Sequence, residues 1–216
     1  MKKILCLLGV AAFVTIGVAN AQIEKGNLMV GSDLGSSLAS PSGSATNSGL
    51  FGMNFGLNKG DGFNIGINPK IGYFVKDNVM IGGVVNLGFS KAPNYNGAAK
   101  TTSYGIQALG RYYLNPGEQG VNNLLKHGRF FGEVNAGFAG FNTTGGNTTN
   151  GFAFGFGPGY SYFITPNVAL EGLLKYNGLV GGGNTTYRHA IGLSLGIQVF
   201  LPSAKVKSIV NDPSQL

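Results

Sequence analysis

Few residues in this chain could take part in chemistry. Among its 216 residues there are one cysteine, Cys6, two histidines, His127 and His189, and eight aspartates or glutamates. A metal centre needs several Cys, His or carboxylate ligands close together, and a nucleophilic site needs a nucleophile beside a base. Neither histidine has such partners at a suitable spacing, and residues 155–159 (GFGPG) lack the Lys-Ser/Thr pair of a phosphate-binding loop. The sequence therefore predicts no enzyme activity, no metal site and no cofactor.

The remaining candidates are charged side chains in segments whose apolar residues recur at every second position. Successive side chains of a strand point to opposite faces, and in these segments the charges share a face with Gly, Asn and Ser. Because an unpaired buried charge is costly, we expect charges that are enclosed together to form paired networks. The predicted interior charges are Asp33, Lys70, Arg111, Glu133, Glu171, Lys175 and Arg188.

Eight β-strands must position these charges. The alternation is clearest in residues 191–199 (IGLSLGIQV). It predicts strands at about 27–38, 62–75, 78–90, 102–114, 129–142, 151–164, 167–178 and 187–201. The tight turns at 76–78 and 165–167 and the link at 115–128 would lie at one end. The longer connections would lie at the other end, at 39–61, 91–101, 142–150 and 178–186.

One further segment disturbs the count of eight strands. Residues 50–57 (LFGMNFGL) also alternate between apolar and small or polar residues. We interpret the segment either as part of the first long loop or as an extension of strand 1.

A faint internal repeat links two of the predicted hairpins. At an offset of 89 residues, Pro69 corresponds to Pro158 and Asn78 corresponds to Asn167. The correspondence could arise by duplication or by convergent turn chemistry, and two hairpins related in this way would lie on opposite walls of a closed sheet. Since proline cannot donate to the hydrogen-bond ladder, we expect a β-bulge at each proline.

The polarity of the two strand faces indicates where each face points. The chain has 38 glycines and only 11% charged residues, and all the strand charges fall on the Gly-rich face. A soluble β-sandwich or lipocalin-like barrel would turn that face to water, where Lys, Glu and Thr are expected instead. In a membrane barrel the apolar face meets lipid, and small and polar residues fill the lumen. The predicted fold is all-β, an eight-stranded antiparallel up-and-down transmembrane β-barrel, and a secreted soluble β-protein is the alternative.

Aromatic residues cluster towards the two ends of the predicted strands, as in the interfacial girdles of such barrels. Beside the tight turns we assign Tyr73, Tyr112, Phe130 and Tyr162 to one girdle, together with their neighbours Phe74, Tyr113, Phe131, Phe163 and Phe200. The girdle at the other end contains Phe89, Tyr104, Phe152, Tyr176 and Tyr187, together with Phe63 and Phe141.

The first residues have the pattern of a secretory signal peptide. Lys2 and Lys3 precede an apolar run at 4–18, and Ala19-Asn20-Ala21 has small residues at −3 and −1 of a cleavage site. We therefore expect a signal peptide at 1–21, a barrel at 22–201 and a periplasmic tail at 202–216. The formal charge of +7 is weak support for a nucleic-acid partner, and we expect none in an exported protein.

Residues 68–78 (NPKIGYFVKDN) and the alternating run from Gly192 to Phe200, together with the signal peptide, carry a family resemblance. The sequence resembles the small outer-membrane β-barrel family of Gram-negative bacteria, the OmpX/OmpA-type or porin-family barrel domain, over residues 22 to 201. This resemblance implies residence among outer-membrane lipid, and insertion by the barrel assembly machinery with the help of periplasmic chaperones. That machinery reads a final strand ending in an aromatic residue, which Phe200 matches, although Leu201 and a tail follow it.

Two functions remain open for such a barrel. The first is a structural or surface-interaction role, in which the long loops contact an unknown surface ligand. The alternative is a narrow porin-like channel for ions or small solutes.

Overall fold

The fold is seen in a computed structural model, which describes residues 23–35, 53–55, 63–91, 100–115, 128–146, 148–182 and 187–203. The predicted signal peptide, His127 and most of the predicted tail lie outside these residues. The division of the chain into signal peptide, barrel and tail therefore stays a prediction.

The described residues are almost entirely β-strand. The strands are β1 (Leu28–Gly35), β2 (Met53–Phe55), β3 (Phe63–Lys76), β4 (Val79–Lys91), β5 (Lys100–Tyr113), β6 (Gly128–Thr143), β7 (Thr149–Thr165), β8 (Val168–Gly182) and β9 (Tyr187–Leu201). Each strand from β3 to β8 pairs antiparallel with the next, and β1 pairs with both β9 and β3. This last pairing closes the sheet, so the predicted eight-stranded antiparallel barrel is confirmed. Within the described ranges, no helix is long and apolar enough to cross a membrane.

The short strand β2 lies in line with β1, on the same side of β3. In β1, Leu34 pairs with Ile67 of β3, and in β2, Met53 pairs with Ile65 of the same strand. Both strands run antiparallel to β3, so β2 continues the line of β1 after residues 36–52. Of the two interpretations of segment 50–57, the register supports the extension of strand 1 for Met53–Phe55.

The connections divide between the two ends of the barrel. One end of the barrel, which we call the turn end, contains the two-residue turns at 77–78 and 166–167. Residues 23–27 and 202–203 lie at the same end. The strand ends at Lys91, Lys100, Thr143, Thr149, Gly182 and Tyr187 lie at the other, the loop end. Strand β8 reaches Gly182, so residues 178–182 belong to the wall and not to the predicted loop. The alternation continues there, because Leu179 is buried while Val180 is exposed.

The β-bulges expected at Pro69 and Pro158 are wrong. The β3–β4 pairing keeps one register from Ile67 to Lys70, and its shift lies between Phe74 and Lys76. The β7–β8 pairing behaves in the same way, with its shift between Phe163 and Thr165. Proline has a φ that suits extended backbone, so it omits a ladder bond without adding a residue. The extra residue lies beside each tight turn, where a bulge increases the local twist.

Candidate functional site

The centre of the lumen is an ion-pair network around one carboxylate, Glu133. Its Oε2 accepts hydrogen bonds from Lys70 Nζ at 2.9 Å and Arg111 Nε at 2.8 Å. Its Oε1 lies 3.4 Å from Lys175 Nζ. All four side chains are buried, and each comes from an inward-facing strand position. Glu133 therefore joins cations from three different parts of the barrel wall.

Two further carboxylates complete this network. Glu171 Oε1 accepts hydrogen bonds from Arg111 Nη1 at 2.9 Å and from Ser161 Oγ at 2.6 Å. Asp33 forms an ion pair with Lys70 and accepts a hydrogen bond from Gln198 Nε2 at 2.8 Å. Three of the side chains carry a positive and three a negative formal charge, so the described network is neutral. We call it the ion network; its members are Asp33, Lys70, Arg111, Glu133, Glu171 and Lys175.

Towards the turn end, the ion network rests on apolar side chains. The Arg111 guanidinium lies 4.1 Å from the centroid of the Phe131 ring, and its Nη1 donates to Tyr113 Oη at 2.9 Å. The Tyr113 ring lies 5.8 Å from that of Phe74, which is in turn 6.2 Å from that of Phe200. These rings belong to the apolar plug, which consists of Ile23, Met29, Phe74, Met80, Leu109, Tyr113, Phe131, Phe163, Ala169, Leu173 and Phe200.

Part of the predicted girdle at the turn end is wrong, because some of its aromatic residues lie in the apolar plug. Five aromatic residues assigned to the girdle at the turn end are buried in the plug: Phe74, Tyr113, Phe131, Phe163 and Phe200. Each is adjacent in sequence to an outward-facing residue, and adjacent side chains of a strand point to opposite faces. The alternation itself could have shown that in Tyr73-Phe74 or Tyr112-Tyr113 only one ring reaches the outside.

Small inward-facing residues leave room for these large side chains. A Cβ atom added to Gly72 would lie 2.3 Å from Met80 Sδ, and one added to Gly159 would lie 2.2 Å from the Phe131 ring. The position of glycine on the inner face therefore determines which long side chains can cross the lumen.

Towards the loop end, the ion network is followed by a layer of amides. Asn86 Nδ2 donates to Gln107 Oε1 at 3.2 Å, and Asn135 Nδ2 donates to the same oxygen. Asn68 and Asn177 are also buried there. Polar groups without formal charge thus separate the ion network from the loop end.

The other predicted site residues lie as follows. Arg188 pairs with the inward-facing Leu179, but its side chain is outside the described part of the structure. Nine of the aromatic residues assigned to the two girdles lie on the outer surface, Tyr73, Tyr112, Phe130 and Tyr162 near the turn end and Phe89, Tyr104, Phe152, Tyr176 and Tyr187 near the loop end. The assignment of Phe141 to the loop-end girdle is wrong, because this residue faces inward and is buried in a small apolar cluster. The side chain of Phe63 is outside the described part of the structure.

His189 lies on the outer surface in an aromatic cluster. Its ring stacks on Tyr187 with centroids 5.3 Å apart and lies 5.9 Å from the ring of Tyr176. The two tyrosine hydroxyls are 2.6 Å apart. The contacts of His189 found among the described residues are with aromatic rings, which cannot orient a catalytic base as a carboxylate does. In the same residues, no group of three His, Cys, Asp or Glu side chains could hold a metal ion.

Known proteins resemble the chain in structure only. No family model and no curated protein matches the sequence. Neisserial surface protein A (NspA) has a similar structure, with a TM-score of 0.52 and 20% identity over 81% of this chain and 99% of that one. The outer membrane protein OprG from Pseudomonas aeruginosa gives a TM-score of 0.50 and 11% identity over 86% and 99%. With its closed eight-stranded wall and filled lumen, the chain has the fold of the small outer-membrane β-barrels.

Proposed function

We propose that the protein is an integral outer-membrane β-barrel without catalytic activity, with a structural or surface-interaction role. The observation that carries this proposal is the polarity of the wall. Large apolar side chains encircle the outer surface, with Phe138 at 74% and Ile191 at 73% exposure, while the ion network is buried inside. A continuous apolar surface of this kind is unfavourable in water, whereas a membrane barrel requires it.

The outer membrane of a Gram-negative bacterium is the proposed location. The predicted signal peptide and the fold shared with OprG, an outer membrane protein, support it. In this orientation the turn end faces the periplasm and the loop end faces the exterior. The proposed partners are outer-membrane lipid, periplasmic chaperones and the barrel assembly machinery. Phe200 points into the plug and Leu201 lies on the outer register, so the outward end of the last strand is aliphatic.

The lumen is filled at two levels along the barrel. The apolar plug fills the turn end, and the ion network crosses the middle of the barrel. An open path would have to separate buried ion pairs, and removing one partner of such a pair typically costs about 3–5 kcal/mol. These features favour a surface-interaction role, in which the loops at the loop end contact the ligand. They disfavour the competing function, a narrow channel.

Two measurements test the proposal. The protein should fractionate with outer membranes and migrate differently on a denaturing gel before and after heating, because an unheated barrel keeps its fold. A form that is soluble without detergent would contradict membrane insertion. In planar bilayers, the purified protein should give no discrete conductance steps under an applied voltage. Regular single-channel steps would instead support the porin-like channel.

A further inference from the structure

We propose that a groove in the outer wall, over β5 and β6 near the loop end, holds one acyl chain of an outer-leaflet lipid through a polar contact at its ester. This inference rests on the proposed membrane location and adds a specific lipid site to it. The groove has a volume of about 430 Å³. Its sides are Val85, Leu87, Tyr104, Ile106, Phe138 and Asn150.

The floor of the groove is strand backbone. It is formed at Gly105, Ala139 and Gly151, whose side-chain positions face inward, away from the groove. On the outer face, Tyr104 pairs with Gly140, which pairs with Asn150. Gly140 is buried, because the Tyr104 ring and the Asn150 side chain lie across it and form one end of the groove.

Tyr104 and Asn150 give the groove one polar end. The tyrosine hydroxyl donates a 2.6 Å hydrogen bond to Asn150 Oδ1, across Gly140. A Cβ atom at Gly140 would lie 2.2 Å from that same oxygen, so the contact depends on glycine. With Oδ1 accepting from Tyr104, the amide nitrogen is the hydrogen-bond donor that the Asn150 side chain offers at this end of the groove.

The apolar walls and the polar end of the groove together fit an acyl chain with its ester group. The groove opens within the apolar outer surface, so the groups that can reach it in a membrane are hydrocarbon chains. Its walls of Val85, Ile106 and Phe138 match an acyl chain, and Asn150 lies towards the loop end, where the ester group of an outer-leaflet lipid would lie. An amide donor beside an ester carbonyl pairs the two polar groups at the interface, where the apolar walls of the groove shield the contact.

The absence of tryptophan from the chain permits a direct test. Phe138→Trp, the groove variant, puts the only indole beside the groove. Phe152→Trp is the matched control variant, because Phe152 pairs with Phe138 at the same height and is not part of the groove wall. Each variant is reconstituted in vesicles of a diether phospholipid containing increasing amounts of a diester phospholipid with brominated acyl chains, which quench indole fluorescence.

The indole of the groove variant should reach half-maximal quenching at about a fivefold lower fraction of brominated lipid than the indole of the control variant. This corresponds to about 1 kcal/mol for one hydrogen bond. Adding Asn150→Leu should remove the preference from the groove variant and leave quenching in the control variant unchanged, which also shows that the double variants are folded. Leu87→Trp, on the other side of the groove, should show the same preference as Phe138→Trp.

Other outcomes overturn the inference in distinguishable ways. Equal quenching of the groove and control variants would remove the lipid site and leave the membrane location intact. Weaker quenching of the groove variant than of the control would mean that another protein surface, such as a second copy, covers the groove. If neither variant is quenched, the chain is not in the bilayer and the proposed function fails as well.

Discussion

At the scale of single residues, Glu133 and Arg111 connect the buried charges of the barrel into one ion-paired network. Each is buried, and each contacts more than one opposite charge. Such networks cost desolvation energy when they form, so their gain depends on complete pairing. Removal of one member leaves its partners buried without compensation.

Glu133→Gln should lower the free energy of unfolding by about 3–5 kcal/mol, because three buried cations would then face two carboxylates. A urea titration of the protein in detergent micelles measures this change. The control is Glu24→Gln, since Glu24 is exposed at the turn end, and its effect should stay within about 0.5 kcal/mol. Similar small effects of both substitutions would contradict the stabilising role of the ion network.

The apolar plug supports a second prediction. Phe74→Ala should cost about 3–5 kcal/mol, because it opens a cavity among the rings of Tyr113 and Phe200. Its neighbour Tyr73 faces outward, so Tyr73→Ala leaves no internal cavity and should cost clearly less. Thermal unfolding of both variants, followed by the gel shift between folded and heated forms, compares them. A larger loss for Tyr73→Ala would mean that the plug contributes little.

At the scale of elements, the β3–β4 hairpin shows how two adjacent glycines can serve different purposes. A Cβ atom at Gly82 would lie 2.0 Å from the carbonyl oxygen of Ile71 on the paired strand. At Gly83 the nearest atom would be 3.7 Å away, which is ordinary contact. The close approach of the two backbones therefore requires glycine at the first position only.

Gly82→Ala should thus destabilise the barrel by about 1–3 kcal/mol through displacement of β3. Gly83→Ala should be neutral, or stabilising by up to about 1 kcal/mol, because alanine restricts the unfolded chain more than glycine does. Equilibrium unfolding in micelles distinguishes the two variants. Equal effects at both positions would show that the strands can separate without loss.

At the scale of the whole molecule, closure depends on the composite strand formed by β1 and β2. Leu34 pairs with Ile67 and Met53 with Ile65. Continued by one residue, the β1 register would place Gly35 opposite Gly66, one step before Met53. If Gly35 were joined directly to Met53, the ladder with β3 would continue without a shift. Residues 36–52 are therefore an insertion that the pairing of the wall does not require.

Deletion of residues 36–52 should leave a barrel that folds in detergent and shows the heat-dependent gel shift. Deletion of 36–51 is the control. The control deletion retains Gly52 between Gly35 and Met53 and so shifts Met53 by one position in the pairing with β3. A shift of one residue turns the following side chains to the wrong face of the wall or forces a β-bulge. The first variant should refold with a higher yield than the second. The opposite order would contradict the composite strand.

The sequence by itself determined the number of strands, their approximate bounds and the inward face of the six charges of the ion network. These features follow from period-two alternation, which is local along the chain. The same rule applied to Tyr73-Phe74 would also have shown that one of the two rings points inward.

The tertiary structure alone decided which inward side chains meet. Lys70 and Glu133 are 63 positions apart and come together only because the sheet closes, and the rings of Phe74 and Phe200 meet for the same reason. The continuation of β1 by β2 and the groove beside Gly140 likewise depend on the register between strands. Register and closure are set by pairing between distant segments, whose relative positions the alternation within each strand does not contain.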